Sequence, residues 1–249
     1  MRQYSILVLG CGGVAQCVIP LLLWHLKIPA NRITVMDMRD NREHIAPALE
    51  RGVKYVHERV TPDHFQEQLG RHLEMGDLVL DLAWNLETTE LLNWCQQNGV
   101  LFLNTSVEVW NPYAGSEAAP ITELTLYHRQ MQVKKLVEGW GNNSGPTAVL
   151  DHGANPGLVS HFTKQALIEI ASRILAEKPS DERCLELQEA IEDRKSNEIA
   201  RLRGVKVIHV SERDTQKSSQ IRCTDEFVNT WSPVANESCA MTSSQEVTN

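Results

Sequence analysis

Residues 5–16 read SILVLGCGGVAQ, a short apolar strand that runs into glycines at positions 10, 12 and 13. The pattern is G-x-G-x-x-A, with Gly10, Gly12 and then Ala15 where a third small residue is needed. Gly10 lets the chain leave the strand in a tight turn. Gly12 has no side chain, so backbone can approach a pyrophosphate. Ala15 lets the next helix pack close to the strand. Amides at the start of that helix, around Gly13 and Val14, would then face the phosphates. A second strand, RITVMDM, ends in an acid, Asp37, 27 residues after Gly10. A carboxylate there can accept hydrogen bonds from a ribose, which favours NAD over NADP; Arg39 and Arg42 pull the other way, because an arginine can accept a 2′-phosphate.

Outward from this motif, strands and helices alternate through the first 150 residues. Strands are expected at about 4–10, 33–37, 53–57, 77–82, 100–104 and 147–151, and helices at about 13–26, 41–50, 62–73, 88–98 and 120–137. Strands apolar on both faces, such as LVLDLA and VLFLN, call for helices on both sides of a parallel sheet. The expected fold class is therefore α/β, a Rossmann-type doubly wound parallel sheet. Pro20 falls inside the first helical run and should bend or loosen it.

From about residue 152 the pattern changes. HGANPGLVSHFTKQALIEIASRILAEK is a turn followed by an amphipathic helix, a charge-rich helix follows to about 201, and VKVIHVSE (205–212) reads as a strand. The expected organisation is a dinucleotide-binding domain over 1–151, the start of a second, α+β domain over 152–231, and a solvated tail over 232–249.

Composition narrows the function. A net charge of −8 argues against a nucleic-acid binder. The longest apolar stretch, VIPLLLW, is too short to span a membrane, and the first apolar segment flows straight into the glycine motif rather than forming a leader. Six cysteines without a CxxC or zinc spacing fit reduced thiols in a cytoplasmic protein, and no metal site is expected.

In a doubly wound sheet, ligands sit beyond the carboxyl ends of the strands. The loops that matter are therefore Asp81–Asn85, Asn104–Trp110 and Asp151–Gly157. Asn85 and Asn104 read either as turn caps or as amides that hydrogen-bond nicotinamide or ribose. Glu108, two residues from Trp110, reads either as a solvated acid or as a carboxylate that holds an alkylammonium beside an indole face. Asn155 sits in a glycine-flanked turn and can cap a helix or face a substrate. His152 reads as structural or as an acid–base group. Glu212 ends the expected last strand, and Trp231 is either core or a cation-binding ring.

These segments together resemble the bacterial homospermidine synthases of the saccharopine-dehydrogenase-like group. The similarity runs from residue 1 to about 231 and rests on the glycine loop with PLLLWHL, NTSVEVW, HGANPGLVSHFTKQAL, HVSERDTQ and DEFVNTWS. The resemblance implies condensation of two putrescine molecules with release of ammonia, with NAD as a bound redox group that takes a hydride and returns it. It implies amine-positioning roles for Glu108, Asn155 and Glu212, and a cation–π wall at Trp231. Its implied partners are putrescine and related diamines, and its implied full-length assembly is a homodimer. Family members continue well past Trp231, so the resemblance also implies a chain truncated there. Two alternatives stay open: a saccharopine- or carboxynorspermidine-dehydrogenase-type oxidoreductase, and an NAD-binding fragment without catalysis.

Overall fold

A computed structural model describes residues 4–112, 120–141, 144–177, 183–211 and 224. The chain divides into two compact units, the first ending at Gly153 and the second beginning at Ala154.

The first unit is built on six strands: β1 (Ile6–Leu9), β2 (Ile33–Asp37), β3 (Lys54–His57), β4 (Leu78–Asp81), β5 (Leu101–Asn104) and β6 (Ala148–Val149). Their order across the sheet is β3-β2-β1-β4-β5-β6, and every neighbouring pair is parallel. This is the doubly wound Rossmann arrangement, whose order reverses between β1 and β4. Parallel neighbours need crossovers, and helices supply them: α1 (Gly13–His25), α2 (Ala46–Glu50), α3 (Phe65–Gly70), α4 (Thr88–Asn98) and α5 (Leu126–Gly139).

The central strand shows why both faces must be covered. Leu7 and Leu9 point into one core with Phe65 and Leu69 of α3, Leu91 and Trp94 of α4, and Val133 of α5. Ile6 and Val8 point into the other, with Ala15, Ile19 and Leu23 of α1 and Ala48 of α2. All four strand residues are fully buried, as a period of two between two apolar layers requires.

The six strands and the covering helices fall where the sequence places them, with shifted ends. Pro20 is accommodated inside a continuous α1. The helix expected at 62–73 is confined to Phe65–Gly70, because Thr61–His64 form a turn in which the Thr61 hydroxyl meets His64 Nδ1 at 3.2 Å instead of capping a helix. The helix expected at 41–50 is a 3-10 turn, Arg42–Ile45, leading into α2.

The described part of the second unit is helical: α6 (Leu158–Glu177), α7 (Cys184–Glu192) and α8 (Ser196–Leu202), packed around Leu167, Ala171, Leu187 and Ile199. One charge-rich helix was expected to about 201. The chain instead breaks it between α7 and α8, where Arg194 takes φ +54°. The strand expected at 205–212 is not formed over 205–211, where Val207 and Ile208 are exposed. Val205 N–H donates instead to Ala200 O, closing the end of α8 rather than opening a strand. Glu212, Trp231 and the expected tail at 232–249 lie outside the described residues.

Candidate functional site

The carboxyl ends of β1, β2, β4, β5 and β6 gather the candidate residues of the first unit on one edge of the sheet. Gly10 leaves β1 at φ +86°, and a Cβ placed there would lie 2.9 Å from the Ala83 backbone and from Leu82 O. The turn after β1 therefore rests directly on the chain leaving β4, which leaves no room for a side chain. Beside Gly12 and Gly13 the opposite holds, since a Cβ at either would meet nothing within 4 Å. Gly12 is the N-cap of α1 and offers no side-chain cap, and the helix's internal bonding starts with Gln16 N–H donating to Gly12 O. The amides ahead of Gln16, including that of Val14, thus belong to an open helix start. Bare backbone beside open space is the cradle a pyrophosphate needs.

Asp37 closes one side of this cradle. Its Oδ2 accepts the Cys11 N–H and its Oδ1 accepts the Arg39 N–H at 2.6 Å, so the acid ties the glycine turn to the end of β2. Each carboxylate oxygen has a second lone pair, which leaves capacity for ribose hydroxyls. Cys11 is fully buried and its thiol is pushed up to about 11 by burial and by the nearby Asp37, which makes it inert.

On the other side stands Asn85, in the left-handed region at φ +60°, with its Oδ1 buried and without a hydrogen-bond partner. A buried acceptor left without a partner in the loop after a strand is the kind of group a ligand donor would satisfy. Asn104 has a different place. It is fully buried, its Nδ2 reaches the Thr88 hydroxyl at 3.5 Å, and its Oδ1 accepts the Asp151 N–H at 3.0 Å. The side chain braces β5 against α4 and the end of β6, which is the capping one of its two readings. Its carbonyl also accepts the His152 N–H at 3.1 Å, while the His152 ring lies in an exposed residue.

Glu108 is neither a solvated acid nor paired with Trp110. It is only 6% exposed. Ser106 Oγ donates to its Oε1 at 2.9 Å, and Arg129 Nη1 stands 3.9 Å from its Oε2. The Trp110 ring packs on Phe65, centroids 5.9 Å apart, and its Nε1–H goes to Glu90 at 3.1 Å. Arg129 also donates to Val107 O at 3.1 Å. Burial raises the Glu108 carboxyl above the ordinary range; Ser106 and Arg129 oppose the shift and the charge of Asp151 adds to it.

Two further acids complete the cluster, and sequence reasoning singled out neither as a site residue. Asp81 is 3% exposed, with its Oδ1 accepting the Ala83 N–H at 3.1 Å. Burial pushes its carboxyl up to about 7, and the charge of Glu108 adds to the rise. Asp151, at φ +52°, accepts from Gln130 at 2.8 Å and is raised by burial against the opposing pulls of Gln130, Val107 N–H and Arg129. The available signal was position: Asp81 and Asp151 are acids at the ends of apolar strands. Arg129, on the outer helix α5, carried no such mark.

Thr88 is the node that joins these parts. Its hydroxyl accepts the Glu108 N–H at 2.9 Å, and its own N–H donates to Glu108 O at 3.1 Å. Thr88→Ala should lower the stability of the first unit by about 1–2 kcal/mol, because the buried Glu108 amide loses its acceptor. Chemical denaturation of the variant checks this, and an unchanged midpoint would remove Thr88 from that role. Asn155 belongs to the second unit, in the turn before α6, and is joined to Pro156 by a cis peptide bond. Among the described residues no three or more His, Cys, Asp or Glu side chains could jointly hold a metal ion, and no helix is long and apolar enough to cross a membrane.

Residues 6–149, which cover the whole sheet, match the family model described as the saccharopine dehydrogenase NADP binding domain. The chain belongs to that family. Among curated members of the wider group, it is 33% identical over 233 residues to a homospermidine synthase of Mesorhizobium japonicum, and 32% identical over 244 residues to one of Blastochloris viridis. Each alignment covers 91% of this chain but only 45% and 46% of the relative, so the chain spans about half the length of these proteins. A crystal structure of homospermidine synthase from Legionella pneumophila in complex with NAD superposes with a TM-score of 0.68 at 29% identity, covering 95% of this chain and 46% of that one. The saccharopine dehydrogenase NADP-binding fold thus accounts for the first unit, and the similarity to homospermidine synthases extends past it.

Proposed function

We propose that this chain carries the dinucleotide-binding part of an NAD-dependent homospermidine synthase, which joins two putrescine molecules with loss of ammonia. The observation that carries the reading is the juxtaposition at one sheet edge. An open glycine turn with a helix start and an orphaned Asn85 acceptor lies beside a buried cluster of Asp81, Glu108 and Asp151. The solved synthase with NAD supports the cofactor; the curated relatives support the reaction class.

A bound dinucleotide supplies a hydride acceptor that later serves as donor. The protein's part is to hold it and to receive cations. Gly10, Gly12, Gly13 and Val14 frame the phosphate corner, Asp37 takes the ribose, and Asn85 takes a ligand donor. Three acids, of which Glu108 and Asp151 feel the guanidinium of Arg129, carry an excess of negative charge when ionised. Their raised carboxyls show that this charge is costly without a counter-charge. An alkylammonium supplies that counter-charge and favours the ionised acids, so diamine binding near neutral pH should release a proton from Asp81. Asn155, Glu212 and Trp231 are assigned to amine positioning on the resemblance, with diamines as partners, a cytoplasmic location and a dimeric full-length assembly.

The test is to incubate the chain with NAD and putrescine. Ammonia and homospermidine without net NADH support the synthase. Steady NADH accumulation would favour a dehydrogenase, and NAD binding with no product a non-catalytic fragment. Asp37→Ala should weaken NAD binding about tenfold or more, through loss of charge-assisted hydrogen bonds. Calorimetric titration measures it, and an unchanged affinity would take the ribose role from Asp37.

A further inference from the structure

The end of β2 carries four charged side chains within six positions: Asp37, Arg39, Asp40 and Arg42. In a doubly wound nucleotide fold, this strand end meets the adenosine ribose, and its charge chooses between a 2′-hydroxyl and a 2′-phosphate. Arginine favours the phosphate because its planar fork of donors bonds two phosphate oxygens at once.

The fork of Arg42 is already occupied. Its Nε donates to Asp40 Oδ1 at 2.7 Å, and its Nη2 donates to Asp40 Oδ2. The loop that presents this pair is itself fixed. Tyr55 OH accepts the Asn41 N–H at 3.1 Å and donates to Arg39 O, while His57 Nε2 meets Met38 O at 3.1 Å. Asn41 Nδ2 donates to Cys11 O at 3.3 Å, which ties the loop to the glycine turn. The strand end of β3 and the phosphate corner thus hold the Asp40–Arg42 pair close to Asp37.

We propose that Asp40 is a specificity-determining residue: by engaging Arg42 at two points, it withholds that guanidinium from a 2′-phosphate and selects a dinucleotide whose ribose is unphosphorylated. This rests on the reading of the corner as a dinucleotide site. Both partners are half exposed, so the pair contributes little to stability. Its weight falls on discrimination. A 2′-phosphate, with nearly two negative charges, would meet Asp37 and Asp40 as like charges and Arg42 already paired, so that of the two arginines only the exposed Arg39 stays outside the Asp40 pair. The matched family model is described as an NADP binding domain, and the second acid of this loop works against a 2′-phosphate.

The experiment titrates NAD and NADP into the whole chain, its Asp40→Asn variant and the double variant Asp40→Asn/Arg42→Ala. The parent chain should bind NAD at least about tenfold more tightly than NADP. Asp40→Asn should raise NADP affinity about fivefold and leave NAD affinity within about twofold. The double variant should abolish the gain. An NADP affinity unmoved by Asp40→Asn, a gain that survives Arg42→Ala, or a parent chain that prefers NADP would each overturn the proposal while leaving the dinucleotide site in place. A parent chain that binds neither dinucleotide would overturn the site and the proposal with it.

Discussion

Gly10→Ala should destabilise the first unit by about 2–5 kcal/mol, and Gly12→Ala should leave its stability almost unchanged. At Gly10 two costs add. A side chain at φ +86° costs about 1–2 kcal/mol, and a Cβ forced to 2.9 Å from the Ala83 backbone and Leu82 O costs about 1–3 kcal/mol more. The neighbours are main chain of the β4 exit, so no flexible side chain can yield. A fall of roughly 10 °C in the melting temperature of that unit is expected for this size of chain. Gly12 has φ −77° and ψ −172°, ordinary extended backbone, with nothing near its absent Cβ. Alanine there leaves the fold alone but fills the space a pyrophosphate would take, so NAD affinity should fall about tenfold or more. Thermal melts with NAD titration separate the two. Equal stability losses would mean the turn is structural throughout. A Gly12→Ala protein that binds NAD normally would place the phosphates elsewhere.

The second large effect is the pH dependence of stability at Asp81. Its folded carboxyl titrates near 7, against an ordinary value of 3.8. The folded chain therefore keeps a proton that the unfolded chain has already lost between about pH 4 and pH 7. Its contribution is fully present below about pH 4 and is lost as pH rises through about 7. Asp81→Asn removes the titration while preserving an oxygen for the Ala83 N–H. Between pH 4 and pH 8 the unfolding free energy of the asparagine variant, relative to the parent, should rise by on the order of 2–4 kcal/mol. The absolute difference at one pH also contains the amide's own fit; the change across pH does not. Denaturant unfolding at several pH values measures it. A difference that stays flat with pH would show that Asp81 is ionised in the folded chain, and the charge argument for cation binding at this cluster would lose its main support. Glu108 and Asp151, both raised, steepen the same slope in the parent.

The two effects meet at one strand exit. The glycine turn rests on Ala83, and Ala83 donates its N–H to Asp81. One short segment thus supports the phosphate corner with one residue and the acid cluster with its neighbour two positions back. In the function proposed above, dinucleotide and amine would share this strand exit, which would bring the redox carbon near the charge that holds its substrate.

Much of this was legible in the chain itself. Ile6 to Leu9, followed by Gly10, Gly12 and Ala15, can only be a buried parallel strand entering a helix through a tight turn. The reason is local: side-chain alternation, glycine's access to positive φ and the need for a small residue at the crossing are properties of the segment alone. The place of Asp37 at the end of β2 was readable for the same cause, since an acid closing an apolar run is a local pattern. What only the tertiary structure decided was which polar groups spend their hydrogen bonds on the protein and which leave them unspent. Asn85 and Asn104 look alike as residues following a strand, yet one keeps a buried acceptor unsatisfied and the other braces Thr88 and Asp151. Glu108 and Trp110 stand two residues apart, yet the acid turns inward to Arg129 and the indole goes to Phe65 and Glu90. Burial and pairing depend on neighbours far away in sequence, Arg129 on α5 and Asp151 beyond β6, and no local pattern carries their positions.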